Sequence, residues 1–182
     1  MPSRKHILIL DLLPKSEPSE GALLKKFFDL CRLYKPARAQ SLFFKVRGKN
    51  DFLDKLDSGT RYDIIHIAAH GDKDRKGVFI GNGRSWSVTP EEIAGTDHRA
   101  TLIFANACVG SRARLAEAFH GARYYIAPRG FVDAMNATVF ALLFYKRYIV
   151  DGVSFQSSFE YAGRRTGTGS DFPFYWEKLD YK

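Results

Sequence analysis

The stretches DIIHIAAHG (residues 63–71) and TLIFANAC (residues 101–108) decide the fold of this chain. Both are short and almost continuously apolar, a pattern typical of strands that are buried on both faces of a parallel sheet. Each also ends in a side chain that can do chemistry, His70 in the first stretch and Cys108 in the second. If the two strands are neighbours, a histidine and a cysteine meet at one edge of the sheet.

Outward from these strands, apolar runs alternate with segments of helical periodicity. Further strands are predicted over residues 5–11, 40–46 and 123–127, and helices over residues 20–34, 50–56, 111–119, 132–150 and 154–164. A hairpin is predicted from residues 77–80 and 85–88, a helix start at Thr89-Pro90, and a docked last segment over residues 172–176. This order predicts a single α/β domain, with a mainly parallel central sheet and helices on both faces.

The composition excludes several classes of protein. With 182 residues, 45% of them apolar, the chain can bury a real core. Its longest apolar run, residues 137–145, is far shorter than the roughly 20 residues of a membrane span. The apolar stretch at residues 7–13 is interrupted by Asp11 and indicates a strand rather than a signal peptide. Two cysteines, Cys31 and Cys108, are too few for a disulfide scaffold, which favours a reducing, cytoplasmic location.

The net charge of +8, from 28 Lys and Arg against 20 Asp and Glu, could serve a nucleic-acid partner. The basic residues are scattered and interleaved with acids, however, as in KDRK at residues 73–76. No basic block or nucleic-acid motif is present, so a solvated surface is the favoured interpretation.

The carboxyl ends of the predicted strands carry the candidate site, because ligands of open α/β sheets bind at that edge. These ends are Asp11, His70-Gly71, Cys108 and, beyond residue 128, Asp133. The N-terminus of a helix stabilises the thiolate of a preceding cysteine, and a thiolate is the nucleophile in many acyl transfers. A nearby imidazole can take or return its proton. The backbone N–H groups of Gly71 and Cys108 could hold a developing oxyanion. These are the parts needed to cleave an amide.

Taken singly, each of these residues has an ordinary structural alternative. Cys108 is then a small buried hydrophobe, His70 a polar residue leaving a strand, and Asp11 and Asp133 turn or capping acids. His66 is expected to be a core histidine, since a strand rise of ~3.3 Å per residue keeps it too far from His70 to share a metal ion. No metal or other cofactor is therefore expected.

The ordered set of motifs resembles the caspase-like cysteine peptidases, and most closely their CHAT branch, which is related to separase. That family has a strand ending in His-Gly, a hairpin, a Thr-Pro-Glu-Glu-like helix start and a strand ending in Ala-Cys. Here these are residues 64–71, 77–88, 89–93 and 102–108. The segments Gly121-Ala122-Arg123, 131–133, Gly152-Val153-Ser154 and 172–176 also look like the family, so motifs cover roughly residues 60–182.

The resemblance implies a caspase-like three-layer sandwich over residues 1–182, with His70 as general acid and base and Cys108 as nucleophile. In relatives that prefer basic substrates, acids at the positions of Asp11 and Asp133 form the S1 pocket, which implies cleavage after Arg or Lys. Caspases proper instead hold an aspartate with basic residues, an alternative that Arg129 leaves open. Two positions depart from the pattern: Asn106 stands where metacaspases carry an acid, and Phe131 where a Trp is usual. The chain lacks the helical repeat or sensor region often joined to CHAT domains, which implies a separate regulatory or activating protein.

Three hypotheses follow, of which the favoured one is a cysteine endopeptidase with a protein or peptide substrate. The second is a catalytically silent caspase-like module that binds a partner. The third, a nucleic-acid-binding domain, is supported by the charge of +8 alone.

Overall fold

The structure, a computed structural model, describes residues 4–36, 38–71, 78–108, 113–167 and 174–179. Its strands are β1 (Lys5–Asp11), β2 (Ala39–Lys45), β3 (Arg61–Ala68), β4 (His70–Gly71), β5 (Phe79–Gly81), β6 (Trp86–Val88), β7 (Arg99–Asn106), β8 (Ala122–Pro128) and β9 (Phe174–Lys178). Its helices are α1 (Glu20–Tyr34), α2 (Lys49–Leu56), α3 (Pro90–Ala94), α4 (Ala113–Ala118), α5 (Ala134–Tyr145) and α6 (Phe155–Thr166). No helix in this described part is both long and apolar enough to cross a membrane.

The central sheet has the strand order β2-β1-β3-β7-β8-β9. The first five strands are parallel, and β9 runs antiparallel to β8 at one edge. The strands that end near His70 and Cys108, β3 and β7, are hydrogen-bonded neighbours in the middle of the sheet. Their shared register brings both ends to one edge.

Two apolar cores lie on the two faces of this sheet, because alternate residues of a strand point to opposite faces. Leu8 and Leu10 of β1 belong to the core that α2, α3 and α4 cover. Ile7 and Ile9 belong to the core that α1, α5 and α6 cover. The predicted three-layer architecture, a mainly parallel sheet with helices on both faces, is therefore confirmed.

Local capping fixes two helix starts as predicted. The Ser19 side chain accepts the N–H of Ala22 at 3.0 Å, and α1 begins at Glu20. Thr89 and Glu92 form a reciprocal capping box at the start of α3. Both satisfy backbone N–H groups that the first turn of a helix leaves without partners.

The long helix expected over residues 132–150 is shorter at both ends. It begins at Ala134, because the Asp133 side chain accepts the N–H of Asn136 and sets the first turn. It ends at Tyr145 and continues as a π turn over Lys146–Val150.

The hairpin forms from β5 and β6, a little inside the predicted limits, and residue 77 lies outside the described residues. It gains a third strand that the sequence did not predict, since β4 pairs antiparallel with β5. The last segment becomes an edge strand, β9, with residues 172–173 outside the described part. The helix expected over 111–119 spans Ala113–Ala118, and residues 111–112 are likewise not described.

Candidate active site

A cavity of about 310 Å³ opens at the carboxyl edge of the sheet. It lies between the segment leading into α1, the ends of β3 and β7, and the first turns of α5. The side chains that line it are Leu13, Glu17, Pro18, Ser19, Glu20, Leu23, Ala69, His70, Asn106, Cys108, Val132, Ala134, Met135, Ala137 and Thr138. His70 and Cys108 therefore share one cavity.

The backbones of Gly71 and Cys108 are packed against each other. A Cβ atom added to Gly71 would lie 1.6 Å from the carbonyl oxygen of Cys108 and 2.5 Å from its carbonyl carbon. Only glycine permits this approach, because any side chain would occupy the space of the Cys108 peptide. The contact joins the end of the β3–β4 segment to the end of β7, and so fixes His70 beside the cysteine.

Cys108 is half-buried, five residues before the first residue of α4, with residues 109–112 not described. Its Sγ lies 3.8 Å from the carbonyl oxygen of Val132, to which the thiol donates. The other cysteine, Cys31, is buried on α1, and burial raises the pKa of its thiol. Cys108 is thus the cysteine that faces the cavity.

His70 has 42% of its side chain exposed and contacts a carboxylate. Its Nε2 lies 2.9 Å from one oxygen of Glu17 and 3.1 Å from the other. Glu17 reaches it from the loop between β1 and α1. A carboxylate on one ring nitrogen orients the imidazole and leaves the other nitrogen for a second partner.

Within the described residues, the thiol of Cys108 and the imidazole of His70 are bonded to Val132 and Glu17 and not to each other. Catalytic hydrogen bonds in proteins without substrate are often long or unformed, and they tighten when substrate binds. Both groups can therefore meet a substrate in the cavity, provided that each gives up or rotates away from its present partner.

A buried polar chain lies behind the cavity wall. Glu20, with 10% of its side chain exposed, accepts a hydrogen bond from Nδ2 of Asn106 at 2.7 Å. Nε2 of the fully buried His66 lies 3.2 Å from the same Glu20 oxygen, out of line for a hydrogen bond. Nδ1 of His66 contacts the Tyr145 hydroxyl at 2.8 Å, and burial together with the charge of Glu20 raises the pKa of that phenol.

These contacts set which side of the Glu20 carboxylate faces the cavity. The Tyr145 hydroxyl and Nδ1 of His66 share one hydrogen bond, and Nε2 of the same ring faces Glu20. The carboxylate is held on its inner side by the hydrogen bond from Asn106, with Nε2 of His66 3.2 Å away, and Glu20 also lines the cavity. His66 is thus the partnered core histidine that the sequence predicts.

Asp11, one of the two acids expected in an S1 pocket, is fully buried and occupied. Its carboxylate accepts from Nζ of Lys45 at 2.9 Å, from the N–H of Leu13 at 2.9 Å and from the hydroxyl of Ser19. It is not among the residues that line the cavity. In this structure Asp11 ties the end of β1 to the residue that caps α1.

Asp133, the other expected acid, is exposed at the N-terminus of α5. Its neighbours Val132 and Ala134 line the cavity, whereas its own carboxylate caps the helix through Asn136. The structure therefore places Asp133 at the rim and Asp11 behind the wall. The carboxylates that do line the cavity, Glu17 and Glu20, were missed, since the sequence gives them only as loop and helix-start residues.

Among the described residues, no three His, Cys, Asp or Glu side chains are grouped as metal ligands. His66 and His70 in particular have separate partners, Tyr145 and Glu17.

A solved structure shares this arrangement of strands and helices. A chain of the Saccharomyces cerevisiae separase-securin complex, solved at 2.6 Å resolution, matches 98% of this chain with a TM-score of 0.57 and 12% sequence identity. The fold is caspase-like. A second structure of that complex, at 3.0 Å, matches 80% of this chain with a TM-score of 0.47 and 13% identity. No protein-family description and no curated protein matches the sequence.

The chain corresponds to a small part of its structural neighbour, covering 12% of the separase-securin chain that it matches. At 12% identity the likeness is one of fold. It agrees with the caspase-like sandwich expected from the motifs, and it leaves the activity to be argued from the residues in the cavity.

Proposed function

We propose that this chain is a cysteine endopeptidase domain of the CHAT branch, spanning residues 1–182, that cleaves a protein after Arg or Lys. The observation that carries the proposal is the cavity shared by His70 and Cys108 and secured by the Gly71 contact. A caspase-like fold supports it, because the two residues lie at the carboxyl ends of neighbouring central strands.

The proposed reaction is acyl transfer to the cysteine. His70 takes the proton of the Cys108 thiol, and Sγ attacks the carbonyl carbon of the scissile amide. When the C–N bond breaks, the imidazolium returns that proton to the leaving amine. His70 then deprotonates a water, which attacks the thioester and releases the carboxylic acid and the thiol.

The oxyanion formed in this reaction needs donors beside the nucleophile. We assign this role to the N–H groups of Gly71 and Cys108, whose backbones lie in contact. Donors on two packed segments are held in place before the substrate arrives, and preorganised donors stabilise a developing charge most effectively.

The preference for a basic side chain is supported by the acids of the cavity. Glu17 and Glu20 line it, and no Lys or Arg does so among the described residues. Glu20 is the better placed, because Asn106 binds it from behind, His66 lies beside it, and little of it is exposed to water. A carboxylate so held binds a guanidinium or ammonium group through charge-assisted hydrogen bonds. The S1 roles of Asp11 and Asp133 stay predictions, as does a cytoplasmic location.

The present contacts of the dyad favour regulation by a partner. Cys108 donates to Val132, and His70 is held by Glu17, so a rearrangement must precede attack. Binding of an activating protein near Phe131 and Met135, which are 65% and 70% exposed, could move the Val132 carbonyl away from the thiol. The neighbour of known structure is itself a complex of two proteins, separase and securin.

The experiment that tests the proposal is iodoacetamide alkylation of Cys108 across pH, followed by peptide mass analysis. Wild type is compared with His70→Ala and with His120→Ala, which removes an exposed histidine elsewhere. We expect the pH of half-maximal alkylation to rise in His70→Ala and to stay unchanged in His120→Ala. Identical profiles in all three proteins would show that the thiol and the imidazole are not coupled in the free chain, and would favour assembly by a partner or the non-catalytic alternative.

Cleavage assays extend the same test. Peptides that differ only in Arg, Lys, Ala or Asp before the scissile bond are incubated with wild type and Cys108→Ala. We expect the wild type to cleave the Arg and Lys peptides faster than the Ala and Asp peptides, and Cys108→Ala to cleave none. Cleavage that survives in Cys108→Ala would refute the assigned nucleophile.

A second candidate function, a non-catalytic module that binds a partner, is favoured by one observation. The thiol and the imidazole are bonded to other groups, beside the exposed apolar side chains of Phe131 and Met135. Under this alternative, a partner binds wild type and Cys108→Ala with equal affinity and is not cut.

A further inference from the structure

Four basic side chains gather at the amino-terminal edge of the sheet, opposite the candidate active site. Arg61, Arg99, Arg123 and Lys178 line a recess of about 630 Å³, which we call the basic recess. The other residues that line it are Gly59, Ala100, Gly121 and Leu179, so no carboxylate does so among the described residues. Strands of seven or eight residues put it about 25 Å from Cys108.

The topology of the sheet forces these cations together. Arg61 is the first residue of β3 and Arg99 the first of β7, and the two are register partners. Arg123 follows on β8, and Lys178 ends the antiparallel strand β9. Neighbouring strands lie about 4.8 Å apart, so all four charges fall within about 15 Å.

Like charges on paired strands destabilise a sheet, and partners within the chain offset only part of this cost. Arg99 forms two 3.1 Å hydrogen bonds with Asp97. The guanidinium group of Arg123 lies over the ring of Tyr124, 5.2 Å from the ring centroid. This contact does not use the N–H donors of Arg123. Neither Arg61 nor Lys178 has a carboxylate within ion-pair distance among the described residues.

The nearest acid on the same strand as Arg61 is occupied as well. Asp63 binds Nζ of Lys5 at 3.0 Å and the N–H of His6 at 2.8 Å. Counted over the described residues, the basic recess therefore keeps a net positive charge.

We propose that the basic recess binds a compact polyanion that carries several phosphate groups. Guanidinium groups match phosphate oxygens in pairs, and three of the four cations are Arg. Gly59 and Gly121 lack side chains, so part of the recess is walled by backbone alone. The cations are confined to one recess rather than spread along a stripe, which favours a small anion over a nucleic-acid strand.

The probe is inorganic triphosphate, and its binding is measured by isothermal titration calorimetry at about 0.1 M salt. At this ionic strength the Debye length is about 10 Å, so charges farther away are largely screened. Arg61→Gln/Arg123→Gln is compared with Lys15→Gln/Arg47→Gln, which removes the same charge from exposed positions outside the basic recess. We expect the first double variant to bind triphosphate at least about tenfold more weakly than wild type, and the control to bind as wild type does.

Thermal denaturation gives an independent readout that also reports folding. Triphosphate should raise the melting temperature of wild type and of the control by the same amount, and that of Arg61→Gln/Arg123→Gln by clearly less. Without triphosphate at low salt, that variant should melt above wild type, because the repulsion between register partners is reduced.

Three outcomes would overturn the proposal. One is the absence of triphosphate binding by wild type. Another is equal weakening by both double variants, which indicates attraction to overall charge. The last is tighter binding of a single-stranded DNA of about 20 nucleotides than of triphosphate, lost equally in both variants, which indicates non-specific nucleic-acid binding.

Discussion

Replacing Gly71 by Ala tests the contact on which the candidate active site is built. The new Cβ would lie 1.6 Å from the Cys108 carbonyl oxygen, whereas real Cβ contacts are essentially never under 3.0 Å. The two backbones must therefore separate by about 1.4 Å or more. Neither side has a rotamer to change, because the three atoms nearest the Cβ are all backbone atoms of Cys108.

We expect Gly71→Ala to lower the free energy of unfolding by about 1–3 kcal/mol or more, the usual cost of overpacking. The measurement is urea denaturation, followed by fluorescence. Gly130→Ala is the matched control, since its added Cβ would meet nothing within 4 Å. The control also accounts for the reduced chain entropy of the unfolded state when Gly becomes Ala.

The functional expectation for Gly71→Ala is a change at Cys108 rather than at Cys31. Displacing the β4 segment moves His70 and one proposed oxyanion donor together. Cleavage should fall by more than the folded fraction accounts for, and the pH profile of Cys108 alkylation should approach that of His70→Ala. Equal unfolding free energies for Gly71→Ala and Gly130→Ala, within about 0.5 kcal/mol, would refute the contact.

Three further predictions concern buried charge. Glu20→Gln keeps the shape of the side chain and removes its charge. We expect kcat/KM to fall about tenfold or more for an Arg peptide and to stay unchanged for an Ala peptide. Equal effects on both peptides would contradict binding of the basic side chain by the Glu20 carboxylate. Lys45→Met leaves the buried Asp11 carboxylate without its cation, so urea denaturation should show an unfolding free energy lower by about 3 kcal/mol. The control Lys55→Met, which breaks a partly exposed pair with Asp51, should lower it by at most about 1 kcal/mol. Burial lowers the pKa of His98 from 6.5 to about 4. Its contribution to stability is therefore complete above pH 6.5 and falls by about 3 kcal/mol towards pH 4. Plots of unfolding free energy against pH for wild type and His98→Gln should diverge in that window, and parallel plots would contradict the prediction.

Local patterns in the sequence predicted much of the fold. The bounds of β1 and α1 agree with the structure, because the apolar run of β1 and the cap Ser19 are local signals. The strand β4 could not be predicted in this way. It has only two residues, and it exists because Gly71 pairs with Phe79 and packs on Cys108.

The candidate site was predictable as a place more than as a set of contacts. Parallel strands bring His70 and Cys108 to one edge, and the structure gives them one cavity, while their roles stay predictions. The surroundings of Asp11 depend on register: it pairs with Lys45 across β1 and β2, which no local pattern reveals. Glu20 becomes notable only because Asn106 and His66, far away in the sequence, lie beside its carboxylate.

The neighbouring positions of β3 and β7 have a consequence for engineering. The chain between His70 and Cys108 builds a hairpin and a short helix, yet the two stretches are aligned by the register of adjacent strands. Their spacing is therefore independent of the length of the connection. A sensor module inserted after Gly83, in the turn between β5 and β6, would leave that alignment intact, so the domain should accept an insertion there and keep the cavity shared by His70 and Cys108.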